Sequence, residues 1–170
     1  MIRKKKLFVR PKKLYIKSRI KEENSLLSRY GLKNKKEIWK TAAKINYFRK
    51  MAMALAKLSA EKQQALFNKL KGLGLKTETT ADVLALKTED LLERRLPFIV
   101  FKKGLAKTPQ HARQMVVHKK ILIDDKTVNV PSYTVSINEE SAIKIRPTKE
   151  KKVQKNKAGA TEATAQETTH

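Results

Sequence analysis

Apolar positions recur at helical spacing over most of the chain and switch to strand-like alternation only near the end. Ile20, Leu27 and Tyr30 predict a short helix over 18–30, closed by Gly31 as a left-handed cap. Asn34 and Glu37 stand at capping-box spacing ahead of a longer helix from Lys35 to about Leu58. Its stripe is Ile38, Ala42, Ile45, Phe48 and Ala52, with Lys40, Lys44, Arg49, Lys50 and Lys57 mostly off it. Trp39 is expected in the core, an exposed stacking platform being the alternative. Ser59 as N-cap with Glu61 in the first turn starts a third helix, running to about Leu70 and stopped by Gly72 and Gly74. Thr80 and Thr88 are expected to cap short helices, the second running through Leu91, Leu92, Glu93, Arg94 and Arg95.

Thr108 as cap and Pro109 at the first helical position predict a helix to about His118. The period then changes. Ile121-Leu122-Ile123 and Val128-Asn129-Val130 predict a hairpin turning at Asp124-Asp125-Lys126, with Asp125 at positive φ and Pro131 ending the second strand. Val135, Ile137, Ile143 and Ile145 are candidates for further strands. Beyond Pro147 the chain has almost no large apolar residue, so 148–170 is expected to be a disordered basic and polar tail. The pattern is α+β: a mostly helical domain at 18–92, preceded by a basic extended segment at 1–17, then a smaller domain at 93–147 of two packed helices and a short antiparallel sheet or hairpin.

Charge changes this picture most. The 170 residues carry a formal charge of +24. Residues 1–21 contribute +10 with no acid, and 93–120 contribute +7, whereas 61–92 is neutral. Basic blocks around a neutral packed middle point to several separate contacts with an anionic partner. The leader is mainly Lys, has Pro11 early and only Ser18 as a serine, and no apolar run follows it; it fits an RNA-binding arm better than a transit peptide or a secretory signal. No apolar run approaches the ~20 residues of a membrane helix.

Candidate chemistry is sparse. Cysteine is absent. His111 and His118 lie two helical turns apart with no nearby carboxylate to complete a metal site, and Glu139-Glu140 is not set across a cleft as an acid/base pair. No nucleophile has a plausible base. Gly72-Leu-Gly-Leu-Lys-Thr77 lacks the spacing of a phosphate-binding loop. No catalytic residue, metal or cofactor is therefore expected. Instead, a wheel over 91–103 puts Leu92, Leu96, Ile99 and Val100 on one side and Arg94, Arg95 and Lys102 on the other, around Phe98. Over 109–118, Ala112, Met115 and Val116 face inward and Gln110, Arg113, Gln114 and His118 outward. Two helices packed by their apolar stripes present adjacent basic and polar faces, suited to phosphate, 2′-hydroxyl and base-edge contacts. Phe101 is expected under the hairpin; Phe98 is open between core packing and base stacking.

Residue physics leaves DNA and RNA open, as well as an enzyme borrowing such a module and a chaperone of stalled subunits. A resemblance narrows this. Leu91-Leu92-Glu93-Arg94-Arg95-Leu96, Gly104-Leu105-Ala106-Lys107-Thr108, Ala112-Arg113-Gln114, Val117-His118 and Val130-Pro131-Ser132-Tyr133 resemble the RNA-binding domain of the small-subunit ribosomal protein four family. Glu22-Glu23-Asn24, Leu26-Leu27 and Arg29 to Trp39 resemble its archaeal and eukaryotic branch, and the match spans roughly 14–146 in order.

The resemblance implies a structural constituent of the small ribosomal subunit that binds ribosomal RNA at a multi-helix junction, nucleates assembly and borders the messenger-RNA entry path, next to ribosomal proteins three and five. It implies a cytoplasmic, non-enzymatic ribonucleoprotein role. Its RNA face would include Arg94, Arg95, Lys107, Thr108, Gln110, Arg113, Gln114 and His118. Lys102, Lys103, Lys119, Lys120, the leader's Lys4, Lys5, Lys6, Arg10, Lys12 and Lys13, and Arg49 and Lys50 join them as candidate RNA contacts. Bacterial relatives often carry a Cys-rich zinc knot, and with no cysteine here no zinc role carries over. Pro97 departs from the family and predicts a kink or a helix start near Leu96. Reversing Arg94, Arg95 and Arg113 to Glu is expected to weaken RNA binding and leave the fold intact.

Overall fold

The computed structural model describes residues 6–147. Residues 6–16 carry no helix or strand, and Phe8 packs near Trp39 with ring centroids 6.0 Å apart. Helix α1 (Lys17–Tyr30) ends at Gly31, whose φ of +59° lets its N–H and that of Leu32 both reach the Leu27 carbonyl. Glycine is required there twice over, because a Cβ would lie 2.7 Å from the Pro109 carbonyl. Helix α2 (Lys35–Leu55) buries Ile38, Ile45, Phe48 and Ala52 as the stripe predicts, with Thr41 buried and Ala42 only half-buried.

The expected Asn34–Glu37 capping box does not form, since Asn34 makes no side-chain cap bond. The Glu37 carboxylate is taken instead by two distant arginines. Helix α3 (Ala60–Gly72) follows. Helix α4 (Thr80–Ala85) is capped by Thr79 rather than Thr80, and α5 (Thr88–Glu93) begins with Thr88 inside it. In both cases the acid three residues on decides the start. Asp82 accepts the Thr79 N–H and Asp90 accepts the Lys87 N–H, at 2.9 and 2.7 Å.

Arg94 and Arg95 lie outside any helix, against expectation. Pro97 has no N–H to offer the Glu93 carbonyl, so α5 stops and α6 (Leu96–Lys102) starts anew with Pro97 in its first turn. In the gap Arg94 keeps near-helical torsions and Arg95 alone is extended, bridging to Thr134. The Val135 N–H donates to the Arg94 carbonyl and the Leu96 N–H to the Tyr133 carbonyl, both 2.9 Å. Helix α7 (Pro109–Val117) is capped by the Thr108 hydroxyl, which accepts the His111 N–H at 3.1 Å.

Strand β1 (Ile121–Ile123) pairs antiparallel with β2 (Lys126–Thr127) and with β3 (Ile143–Ile145), in the order β2-β1-β3. The turn needs only two residues, Asp124 and Asp125 at φ of 46° and 63°. Lys126 therefore belongs to the strand, and Val128–Val130 lies beyond it. Ile137 opens α8 (Ile137–Ser141) rather than a strand, because Ser136 and Glu139 form a capping box.

Three apolar clusters hold this together. Leu96, Ile99 and Val100 pack with Met115, Val116 and Ile121 beneath the sheet. Phe48, Leu66, Leu70 and Val83 fill the helical region. Tyr30, Leu32, Ile38 and Leu92 join the two, with Phe98 against Tyr30 at 4.9 Å between centroids. Phe98 is thus a packing residue of this seam. Each fully buried Leu or Ile contributes roughly 1.5–3 kcal/mol.

Candidate nucleic-acid interface

Arg95 points towards α2 and Arg94 away from it, towards α8. Arg95 Nη2 donates to Glu37 Oε2 at 2.7 Å, and Arg113 from α7 grips the same carboxylate with both terminal nitrogens, at 3.1 and 2.8 Å. Arg95 is 7% exposed. Burial alone would raise the Glu37 pKa, but the hydrogen bonds from Arg113 and Arg95 outweigh it and hold it below the ordinary carboxylate value. Arg94 donates to Glu140 Oε2 at 2.8 Å and to the Val135 carbonyl at 3.1 Å. Its guanidinium lies where a Cβ on Gly74, at φ +80°, would come within 2.6 Å. Arg94, Arg95 and Arg113 are therefore committed to internal carboxylates, and the expectation of an outward-facing arginine cluster is corrected. A wheel over 91–103 assumed one continuous helix; Pro97 divides it.

Arg49 is likewise engaged, Nη2 donating to the Leu86 carbonyl at 2.7 Å, and the Thr108 hydroxyl is occupied by its cap. Lys103 Nζ meets the Glu140 carbonyl. Glu23, 6% exposed, accepts the Trp39 indole N–H at 2.9 Å and pairs with Arg19 and Lys35. Trp39 is half-buried and tied down by that bond.

The lysines and amides behave differently. Lys102, Lys107, Gln110, Gln114, His118, Lys119 and Lys120 are exposed, and among the described residues none of these cations is in an ion pair. Gln110 and Gln114 on α7 and His118 at its C-cap follow at four-residue steps and form one stripe, with Lys107 in the turn before the helix. Lys119, at φ 58°, and Lys120 carry it to the start of β1, the central strand. Lys6, Arg10, Lys12, Lys13 and Lys50 are also exposed; Lys4 and Lys5 lie outside the described residues, as does the tail from 148. Sequence reasoning missed the Glu37 clasp, although Glu37 is the sole acid between Glu23 and Glu61 in a strongly basic stretch.

Among the described residues no group of three His, Asp or Glu gathers as a metal site, and no helix is long and apolar enough to cross a membrane. What the α7 stripe offers is ammonium, amide and imidazole donors on a rigid helix, chemistry suited to phosphate and 2′-hydroxyl contact.

Comparison with known proteins gives a consistent result. Residues 94–141 match the S4 domain. The chain is 44% identical over 149 residues to the small ribosomal subunit protein uS4 of Methanococcus aeolicus, covering 84% of each. It is 46% identical over 140 residues to that of Ignicoccus hospitalis, covering 79% of this chain and 84% of the relative. With the protein of Hyperthermus butylicus the identity is 42% over 150 residues, covering 85% of each.

Proposed function

The chain belongs to the small ribosomal subunit protein uS4 family, in its archaeal branch, and on that premise we propose that it is a structural constituent of the small ribosomal subunit that binds ribosomal RNA. Its role is binding rather than catalysis. Residues 93–147 act as the RNA-gripping domain, docked on the helical domain at 18–92. Lys107, Gln110, Gln114, His118, Lys119 and Lys120 supply the principal contacts of the α7 face, assisted by Lys102, Lys50 and the leader cations. Arg95 and Arg113, through Glu37, hold the two domains together, and Arg94 ties α8 to the start of the second. The finer placement extends this reading: an RNA multi-helix junction bound early in assembly, in the cytoplasm, with the messenger-RNA entry path and ribosomal proteins three and five as neighbours.

The observation that carries the reading is the exposed amide stripe of α7 flanked by Lys107, Lys119 and Lys120, which make no ion pair among the described residues, inside the region matched to the S4 domain. Sedimentation tests it. The chain should travel with small subunits at one copy each and stay bound in high salt, and excess duplex DNA should not strip it from ribosomal RNA. Substoichiometric association would instead favour a chaperone, and preference for the duplex a DNA-compacting protein.

A further inference from the structure

Two clefts open along the seam between the helical region and the S4 domain, and they differ in sign. One, of about 580 Å³, is lined by Asp82, Asp90, Glu93 and Glu140 against Lys76, Arg94 and Lys102. Its field does not favour phosphate. The other, of about 420 Å³, is lined by Lys40, Lys44, Arg95 and Arg113 with Glu37 as its one carboxylate, and by Ser132 and Thr134 as hydroxyl donors. A volume of ~300–1,000 Å³ is usual for a cleft that takes a small organic group.

We propose that this second cleft receives a phosphodiester of the bound ribosomal RNA, with Lys40 and Lys44 as its phosphate contacts and Ser132 and Thr134 as donors to the phosphate or the 2′-hydroxyl. The assignment deepens the RNA-binding reading and rests on it. Glu37 is already neutralised by the two arginines, and among the described residues the Lys40 and Lys44 ammoniums have no carboxylate partner. The Lys44 side chain is exposed to solvent, so an incoming anion can reach it. The arginines form a fixed floor under the ligand, because Glu37 holds both guanidiniums in place. Lys40 and Lys44 are one helical turn apart on α2, and both line the cleft.

The sequence has no cysteine, so a single introduced thiol reports one position. In the full chain, Lys40→Cys or Lys44→Cys should be shielded from iodoacetamide when saturating small-subunit ribosomal RNA binds, while Lys62→Cys on α3 alkylates at an unchanged rate. Adenosine monophosphate at the same phosphate concentration should give no shielding; equal shielding by it would overturn the assignment to RNA. In parallel, Lys40→Ala with Lys44→Ala should lower the slope of log affinity against log salt by about one, for the single phosphodiester they share, and Lys57→Ala with Lys62→Ala should leave it unchanged. Tight binding with cysteines 40 and 44 unshielded and an unchanged slope would overturn the cleft assignment while leaving RNA binding intact. No binding to ribosomal RNA at all would overturn both.

Discussion

The seam and the outer face of α7 are both rich in positive charge, yet they put it to opposite uses. At the seam the three arginines Arg94, Arg95 and Arg113 are mostly buried, each meeting a carboxylate within 2.7–2.8 Å. On α7 and the turn after it they are chiefly lysines, exposed and unpaired, interleaved with glutamines and a histidine. The chemistry of the two side chains accounts for the division. A guanidinium presents a planar fork that satisfies a carboxylate bidentately at little further entropic cost, whereas an ammonium is a strongly hydrated point charge that prefers water until a phosphate replaces it. High net charge alone is therefore a poor guide to where nucleic acid binds; the useful quantity is charge left over after internal pairing.

Breaking the seam should cost the most. Glu37→Ala leaves two guanidiniums facing each other in a mostly buried site and should lose about 3 kcal/mol of stability in urea denaturation. The same logic reverses the sequence-based expectation for Arg95→Glu, which should unfold or loosen the chain rather than spare its fold. Acid should reproduce the Glu37 loss without mutation. The folded carboxylate lies below its ordinary value of 4.5, so its contribution is fully present above that value and disappears as pH falls through the lowered folded value. The stability gap between wild type and Glu37→Gln should close over that acid range. A gap that stays constant with pH would mean that Glu37 does not clasp the arginines in solution.

Gly31→Ala should cost about 2 kcal/mol by thermal unfolding. It combines a left-handed residue with a Cβ pressed on the Pro109 backbone, which has no flexible end to move aside. A milder, opposite effect is expected away from the seam. Asp125→Gly relieves a positive φ in the two-residue turn and should stabilise by about 0.5 kcal/mol, with RNA binding unchanged.

Much of the architecture was legible along the chain because it depends on local signals. The α2 stripe, the Gly31 stop, the Thr108–Pro109 start of α7 and the late start of α6 at Leu96 all follow from a few neighbouring residues. What escaped depends on partners far away in sequence. Arg94 and Arg95 diverge because their backbone pairs with 133–135, some forty residues on. Glu37 abandons its cap because Arg113, 76 residues distant, offers two hydrogen bonds instead of one. Phe98 found Tyr30 rather than solvent, which removes it as a stacking platform. The candidate RNA face was accordingly half visible: Gln110, Gln114 and His118 stand outward where the helical wheel put them, but the arginines do not.

The most direct measurement is the salt dependence of ribosomal RNA affinity for Lys107→Ala, Lys119→Ala and Lys120→Ala combined, with thermal unfolding recorded on the same sample. Division of labour between the two regions predicts a slope lower by about three, one per lost phosphate contact, and an unchanged unfolding midpoint. An unchanged slope in a fully folded variant would contradict it.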